Sequence, residues 1–283
     1  MPDSGPQPED STGMSAPIRF VEWLGDRALR LLDHVGSVVL LLADSIRWIY
    51  RGFTSSRVRL PKTAVVTQIV RVGVRSIFIV SIVSGSVGLI LALQLAPPLD
   101  EFGSRDLVAN IIAVAVLREL GPLIGAIVLT GFAGAAIAAE LGTMVVSEEI
   151  EALESQALNP VRFLVVPRVV AAVLSMTALA VIADLMSIGG ALGVSILVLD
   201  IPYAVYMENT LVQAKLVDFL TGVGKATVFG TLIGVISCAN GLKVTGGAAG
   251  VGQATTLTVV QCIVAIVIAD LLFTTIFYAI GLV

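Results

Sequence analysis

Between the Arg118-Glu119 pair and Glu140 the chain runs for twenty residues, Leu120 to Ala139, without a charge. About 20 apolar residues rising 1.5 Å each are what a helix needs to cross the hydrocarbon core of a bilayer. The stretch therefore predicts a membrane-spanning helix. Its small residues recur every fourth position: Gly131, Ala135 and Ala139 form one row, Gly134, Ala138 and Gly142 another, and Gly121 with Gly125 makes a GxxxG. Small residues on one face let a second helix approach closely, a main route to helix association in lipid. These rows predict packing, either inside one subunit or between two.

Further long apolar runs follow the same logic. Hydrophobic residues make up 57% of the chain and charged residues 13%, with a mean hydropathy of +0.98, far from the roughly 45–50% and 25% of soluble proteins. The reading is an all-α polytopic membrane protein, one membrane domain in 283 residues. Predicted crossings lie at Ser76–Leu99, from Leu107 through the opening stretch, at Val169–Leu199, at Ala226–Leu242 and at about 255–281. Pro97 and Pro98 are expected to end the first. A short helix is expected in the loop 200–217, and a tight turn in the glycine-rich TGGAAGVGQATT at 245–256.

Ahead of the crossings, residues 1–13 read as a disordered tail rich in Pro and acid. They have none of the marks of a secretory signal. Residues 14–60 read as an interfacial amphipathic region, because the longest charge-free run there is only Val35–Ala43, with Trp23 and Trp48 at headgroup level. Residues 61–283 form the spanning domain. Seven basic residues, Arg47, Arg51, Arg57, Arg59, Lys62, Arg71 and Arg75, precede the first run, with Arg162, Arg168 and Lys243 near later ends on the same side. Against them stand only Arg105 and Lys215, so the N-terminus is predicted to be cytoplasmic.

A net charge of −4, with the cations gathered at membrane boundaries, does not favour nucleic acid. Cys238 and Cys262 lie in apolar runs and read as small hydrophobes. The single His34 has no ligand-type neighbour, so no metal site is expected. The chain also lacks GxxxxGK[ST], GxSxG and HExxH, leaving nucleotide hydrolysis and hydrolase chemistry without support.

Charge inside a membrane costs at least a few kcal/mol per residue, which makes Arg118, Glu119, Glu140, Asp184, Lys225 and Asp270 candidates for function. Glu140 and Lys225 lie near predicted span ends, where side chains can snorkel. Arg118 and Glu119 lie about 18 Å into their helix and must meet another helix or line a polar cavity. Asp184 and Asp270 occupy identical VIADL pentapeptides at 181–185 and 267–271. Such a pair admits an aspartyl protease or an ion- or proton-coupled secondary transporter using intramembrane carboxylates, as well as plain hydrogen bonding between helices.

The segment SEEIEALESQAL, 147–158, differs in kind. Ser147 is placed to cap a helix. Ile150 and Leu153 share one side, and Glu148, Glu149, Glu151 and Glu154 cover much of the rest. A short exposed helix at about 146–157 is expected, a handle for a basic partner.

LRELGP at 117–122, GAAIAAELGTM at 134–144, VSEEIEALE at 146–154, NPVRFLVVPRV at 159–169 and GGAAGVGQATT at 246–256 resemble the MlaE or YrbE permeases of lipid-trafficking ABC transporters associated with MCE proteins. The resemblance covers roughly residues 76–281. It implies a homodimeric, multi-pass permease of the bacterial inner membrane, with an N-terminal interfacial helix and five spanning helices per subunit. It further implies a separate cytoplasmic ATPase that uses ATP and Mg, no cofactor on the permease itself, and an MCE-domain protein on the periplasmic side. SEEIEALE would be the coupling helix entering a groove on the ATPase. Phospholipid or a similar hydrophobic molecule would occupy a cavity at the dimer axis, with Gln94, Leu95, Arg118 and Glu119 on the pathway. One departure stands out: the family commonly has an arginine before its GAA motif, where this chain has Phe132.

Overall fold

The computed structural model of the chain describes residues 16–54 and 62–281. The expected tail at 1–13 lies outside the described residues, as does the side chain of Trp23.

Five helices are long and apolar enough to cross a membrane: Lys62–Glu101, Leu107–Val146, Val161–Leu197, Leu216–Leu242 and Gly247–Ile280. They are called here the first to fifth spans. Among the described residues there is no strand, so this is an all-α polytopic membrane protein. Every span is longer than its charge-free run. The first begins fourteen residues before Ser76, the third eight before Val169 and the fourth ten before Ala226. An uncharged run ends at the first charge, whereas the helix continues past it, with Lys62, Arg71 and Arg75 exposed and Arg168, Asp218 and Lys225 buried in ion pairs.

Pro97 and Pro98 do not end the first span, which continues to Glu101. Two prolines so close to a C-terminus remove only the N–H bonds to the carbonyls of Leu93 and Gln94, and the helix stops one turn later in any case. The expected glycine-rich turn is likewise mostly helix. Gly246 takes the left-handed conformation (φ 84°), and the fifth span starts at Gly247.

The third span is the centre of the bundle. It meets the first so closely that a Cβ on Gly88 would lie 1.8 Å from the carbonyl oxygen of Ser187, and one on Gly190 would lie 2.2 Å from that of Gly85. Ser187 Oγ donates to the Ser84 carbonyl at the same crossing, 2.9 Å away. On its other sides the third span packs against the second and fourth, burying Leu129, Met176, Leu179, Phe229 and Ile233 in the main apolar core. A second apolar cluster, built on Ile112, Val116 and the fully buried Tyr206, joins the first three spans to the expected loop helix, Tyr203–Gln213. The fifth span is the least enclosed. Only 6% of its most apolar 18-residue stretch is buried, against 50% in the third and fourth.

The long helix Ala16–Thr54 packs along the basic end of the bundle. Trp48 lies under the guanidinium groups of Arg51 and of Arg162, at 5.6 and 5.7 Å, which ties this helix to the start of the third span. Lys243 Nζ donates to Ser37 Oγ at 2.6 Å. Close by, burial and then the neighbouring Lys243 hold the His34 pKa below its ordinary value of 6.5, partly offset by a hydrogen bond to Gln261 and by Asp33. The folded state therefore favours neutral His34. Its contribution is complete above pH 6.5 and is lost as pH falls from there through the lower folded value. Protection factors of the amides around residues 34–45, which correct for the intrinsic slowing of exchange toward acid, should fall on going from pH about 8 to about 5, and His34→Gln should flatten that dependence.

Candidate functional site

The intramembrane charges gather where the second, fourth and fifth spans meet. The second span is not uniform there: Val116–Leu120 forms a π-helical turn, a local widening that re-aims side chains and recurs at functional sites. Arg118 leaves this turn toward the fourth span, where its Nε donates to Asp218 Oδ1 at 2.6 Å. Glu119 leaves it toward Lys225, whose Nζ donates to Glu119 Oε1 at 2.6 Å, to Asp270 Oδ1 at 2.9 Å and to Thr274 Oγ1 at 2.9 Å. Thr274 Oγ1 in turn donates to Glu119 Oε1 at 2.8 Å. All three ammonium protons of Lys225 are used, and its side chain is 2% exposed.

Lys225 therefore does not snorkel. Because the fourth span begins at Leu216, this residue lies nine positions inside it, beyond reach of the surface. Two cations face three carboxylates in this set. The accessible edge is acidic, with the Glu119 side chain 35% exposed and that of Asp270 17%. The helices come together at this level because Gly222 has no side chain: a Cβ there would sit 2.0 Å from the Leu117 carbonyl oxygen.

Asp184 is elsewhere. It is 4% exposed and fills the space above Gly121, where an added Cβ would lie 1.7 Å from Asp184 Oδ1, an oxygen without a hydrogen-bond partner. The two VIADL aspartates are thus held apart by different neighbours, an arrangement unlike a proton-sharing dyad. Glu140 does not reach for solvent either. It is clamped by Arg71 at 2.8 Å and by the buried Arg168 at 3.0 Å, joining the first, second and third spans at the basic end.

Of the predicted packing residues, Gly121 and Gly125 face the third span, Gly134 faces Ser237 of the fourth, and Gly142 lies against Val244. Ala138 is fully buried and packs against Gly241. Gly131 does not pack within the chain: it is exposed, and a Cβ there would meet nothing within 4 Å, which leaves of the two expected kinds of packing only the one between subunits. A second π-helical turn, Thr130–Gly134, rotates it away from the row that the unbroken four-residue spacing implied. On the first span Gln94 is exposed, and Leu95 is half-buried against the second apolar cluster.

At the far end of the second span the acidic helix is shorter than expected, Glu149–Ser155. Ser147 is not its cap. The chain reverses direction here, and Ser147 Oγ is committed to the carbonyl of Thr143 at 2.9 Å, closing the preceding helix. Glu148 makes the turn with φ 60°, a conformation costing about 1–2 kcal/mol in a residue other than glycine. Glu148, Glu149, Glu151 and Glu154 are all exposed, while Ile150 and Leu153 are half-buried. Asn159 then caps the next helix, its Oδ1 accepting the N–H of Arg162 at 3.1 Å.

Asp218 and Thr274 escaped the sequence reading. Asp218 directly follows the expected loop 200–217, so it resembles a loop acid, and a lone threonine in an apolar run carries no signal of its own.

A multi-pass helical bundle with ion-paired charges at depth and an exposed acidic helix at one end fits a membrane transport subunit. The family model described as Permease MlaE matches residues 65–276, and the chain belongs to this family of ABC transporter permeases. It is similar to a probable ABC transporter permease protein of Rickettsia prowazekii, 35% identical over 256 residues, covering 88% of this chain and 98% of the relative. A probable ABC transporter permease protein of Synechocystis sp. is 34% identical over 212 residues, 75% of this chain and 81% of the relative. The chloroplastic protein TRIGALACTOSYLDIACYLGLYCEROL 1 of Arabidopsis thaliana is 34% identical over 280 residues, 95% of this chain and 76% of the relative. As an ABC transporter permease, the chain implies an ATPase partner.

Proposed function

We propose that this permease moves phospholipid or a similar hydrophobic molecule between the bacterial inner membrane and a periplasmic MCE-domain protein, as a homodimer driven by a cytoplasmic ATPase. The observation that carries this reading is one continuous helix. The second span holds Arg118 and Glu119 at depth and, one reversal beyond its other end, the exposed glutamates. A push on the acidic helix passes through the single turn at Ser147 and Glu148 and then along one helix to the charge set.

In this reading the basic end faces the cytoplasm, in line with the positive-inside rule, and the ATPase supplies ATP and Mg chemistry. Gln94, Leu95, Arg118 and Glu119 line the lipid path, with the accessible Glu119 edge meeting polar headgroup atoms. The galactolipid in the Arabidopsis relative's name supports a lipid substrate.

The test is charge reversal. Glu148→Lys, Glu149→Lys and Glu151→Lys together should reduce ATPase co-purification and ATP-driven lipid transfer by about tenfold or more, since rim charges steer docking and opposed like charges cost several kcal/mol. Unchanged co-purification and turnover would overturn the coupling role. Transport driven by a proton or sodium gradient with no ATPase present would replace it with an ion-coupled carrier.

A further inference from the structure

A cleft of about 200 Å³ opens at the basic end between the first and second spans. Its rim carries Gln68, Arg71 and Arg75 on one side and Phe132, Ala136 and Glu140 on the other. Arg71 is occupied by Glu140. Arg75, one helical turn deeper into the span, has no ion pair or hydrogen bond among the described residues. Arg75 is exposed just before the uncharged run that starts at Ser76, so its free guanidinium stands at headgroup level, where lipid anions lie.

Two further features specify what kind of anion. Gln68 Oε1 is buried without a donor, so the ligand must bring one as well as a negative charge. Phe132, 42% exposed, forms an apolar wall over the buried Val72, Ala133 and Ile137. Phe132 thus sets an apolar surface beside Arg75 in the same cleft.

We propose that this cleft holds an anionic phospholipid of the surrounding bilayer with a hydroxyl-bearing head group. The phosphate lies on Arg75, a head-group hydroxyl donates to Gln68, and an acyl chain runs along Phe132 and Ile137. The site is separate from the Lys225 set and does not depend on which molecule the permease transports.

The full chain in phosphatidylcholine nanodiscs doped with phosphatidylglycerol tests this, with retained lipid read by native mass spectrometry. Wild type should retain phosphatidylglycerol selectively. Arg75→Gln should lower that retention about tenfold, the loss expected for one charge-assisted contact, and Arg75→Lys should keep most of it. Arg51→Gln, which alters an exposed arginine stacked on Trp48 at the same end, should leave it unchanged, and glycerol 3-phosphate should not compete. The proposal is overturned by equal retention of the two lipids in wild type, by equal losses in Arg75→Gln and Arg51→Gln, or by competition from glycerol 3-phosphate.

Discussion

Lys225→Met should cost about 3–5 kcal/mol of stability and remove most transport, the largest effect expected of any single substitution in this chain. The reason is what remains behind. The ammonium satisfies Glu119, Asp270 and Thr274 at 2.6 to 2.9 Å from a position 2% exposed. A methionine fills the same volume but leaves two carboxylates facing each other. Glu119, at 35% exposure, can rehydrate in part, so Asp270 at 17% bears the larger share of the cost. Adding Asp270→Asn to Lys225→Met should therefore restore much of the thermal stability. Transport should stay low in the double variant, because Glu119 is left without the ammonium that holds it in place. Melting temperature and lipid transfer measured side by side separate the two effects. Wild-type transport in the single variant would show the set to be a passive fastening.

Gly222→Val is expected to be nearly as damaging, through geometry alone. The atom its Cβ would meet at 2.0 Å is the backbone carbonyl of Leu117, which cannot rotate aside, and Pro122 Cγ stands 3.3 Å away. The fourth span must then move off the second. Asp218 lies one turn before Gly222 and Lys225 one turn after, so the displacement opens both ion pairs at once. Overpacking alone costs about 1–3 kcal/mol, and the loss of the pairs adds to it. Gly224→Val provides the control, since a Cβ at Gly224 meets nothing within 4 Å. Similar melting temperatures and transport in the two variants would contradict this account.

Spans and acidic helix were legible in the sequence because each rests on a local rule: hydrocarbon thickness sets the length of an uncharged run, and helical spacing sets a face. The partners of Arg118 and Glu119 were not legible. That they must meet another helix followed from their depth, but the choice of Asp218 and Lys225 depends on a crossing fixed by Gly222 and on a π-helical turn at Val116–Leu120. Neither has a signature in one sequence. The same limit explains Gly131, since four-residue spacing assumes an unbroken α-helix and Thr130–Gly134 breaks it. Lys225 and Glu140 were misplaced for a simpler reason: an uncharged run stops at the charge, whereas the helix continues past it.

The fifth span buries little of itself, and its polar attachment is to groups already made. Glu119 and Lys225 are synthesised and inserted well before Asp270 and Thr274 leave the ribosome. For that interval the second and fourth spans hold a lysine with one carboxylate partner in place of two, in a bundle with its flank uncovered. Arrival of Asp270 completes the coordination of Lys225 and fastens the fifth span in the same event. A chain cut off before residue 270 would therefore carry an unfinished polar centre.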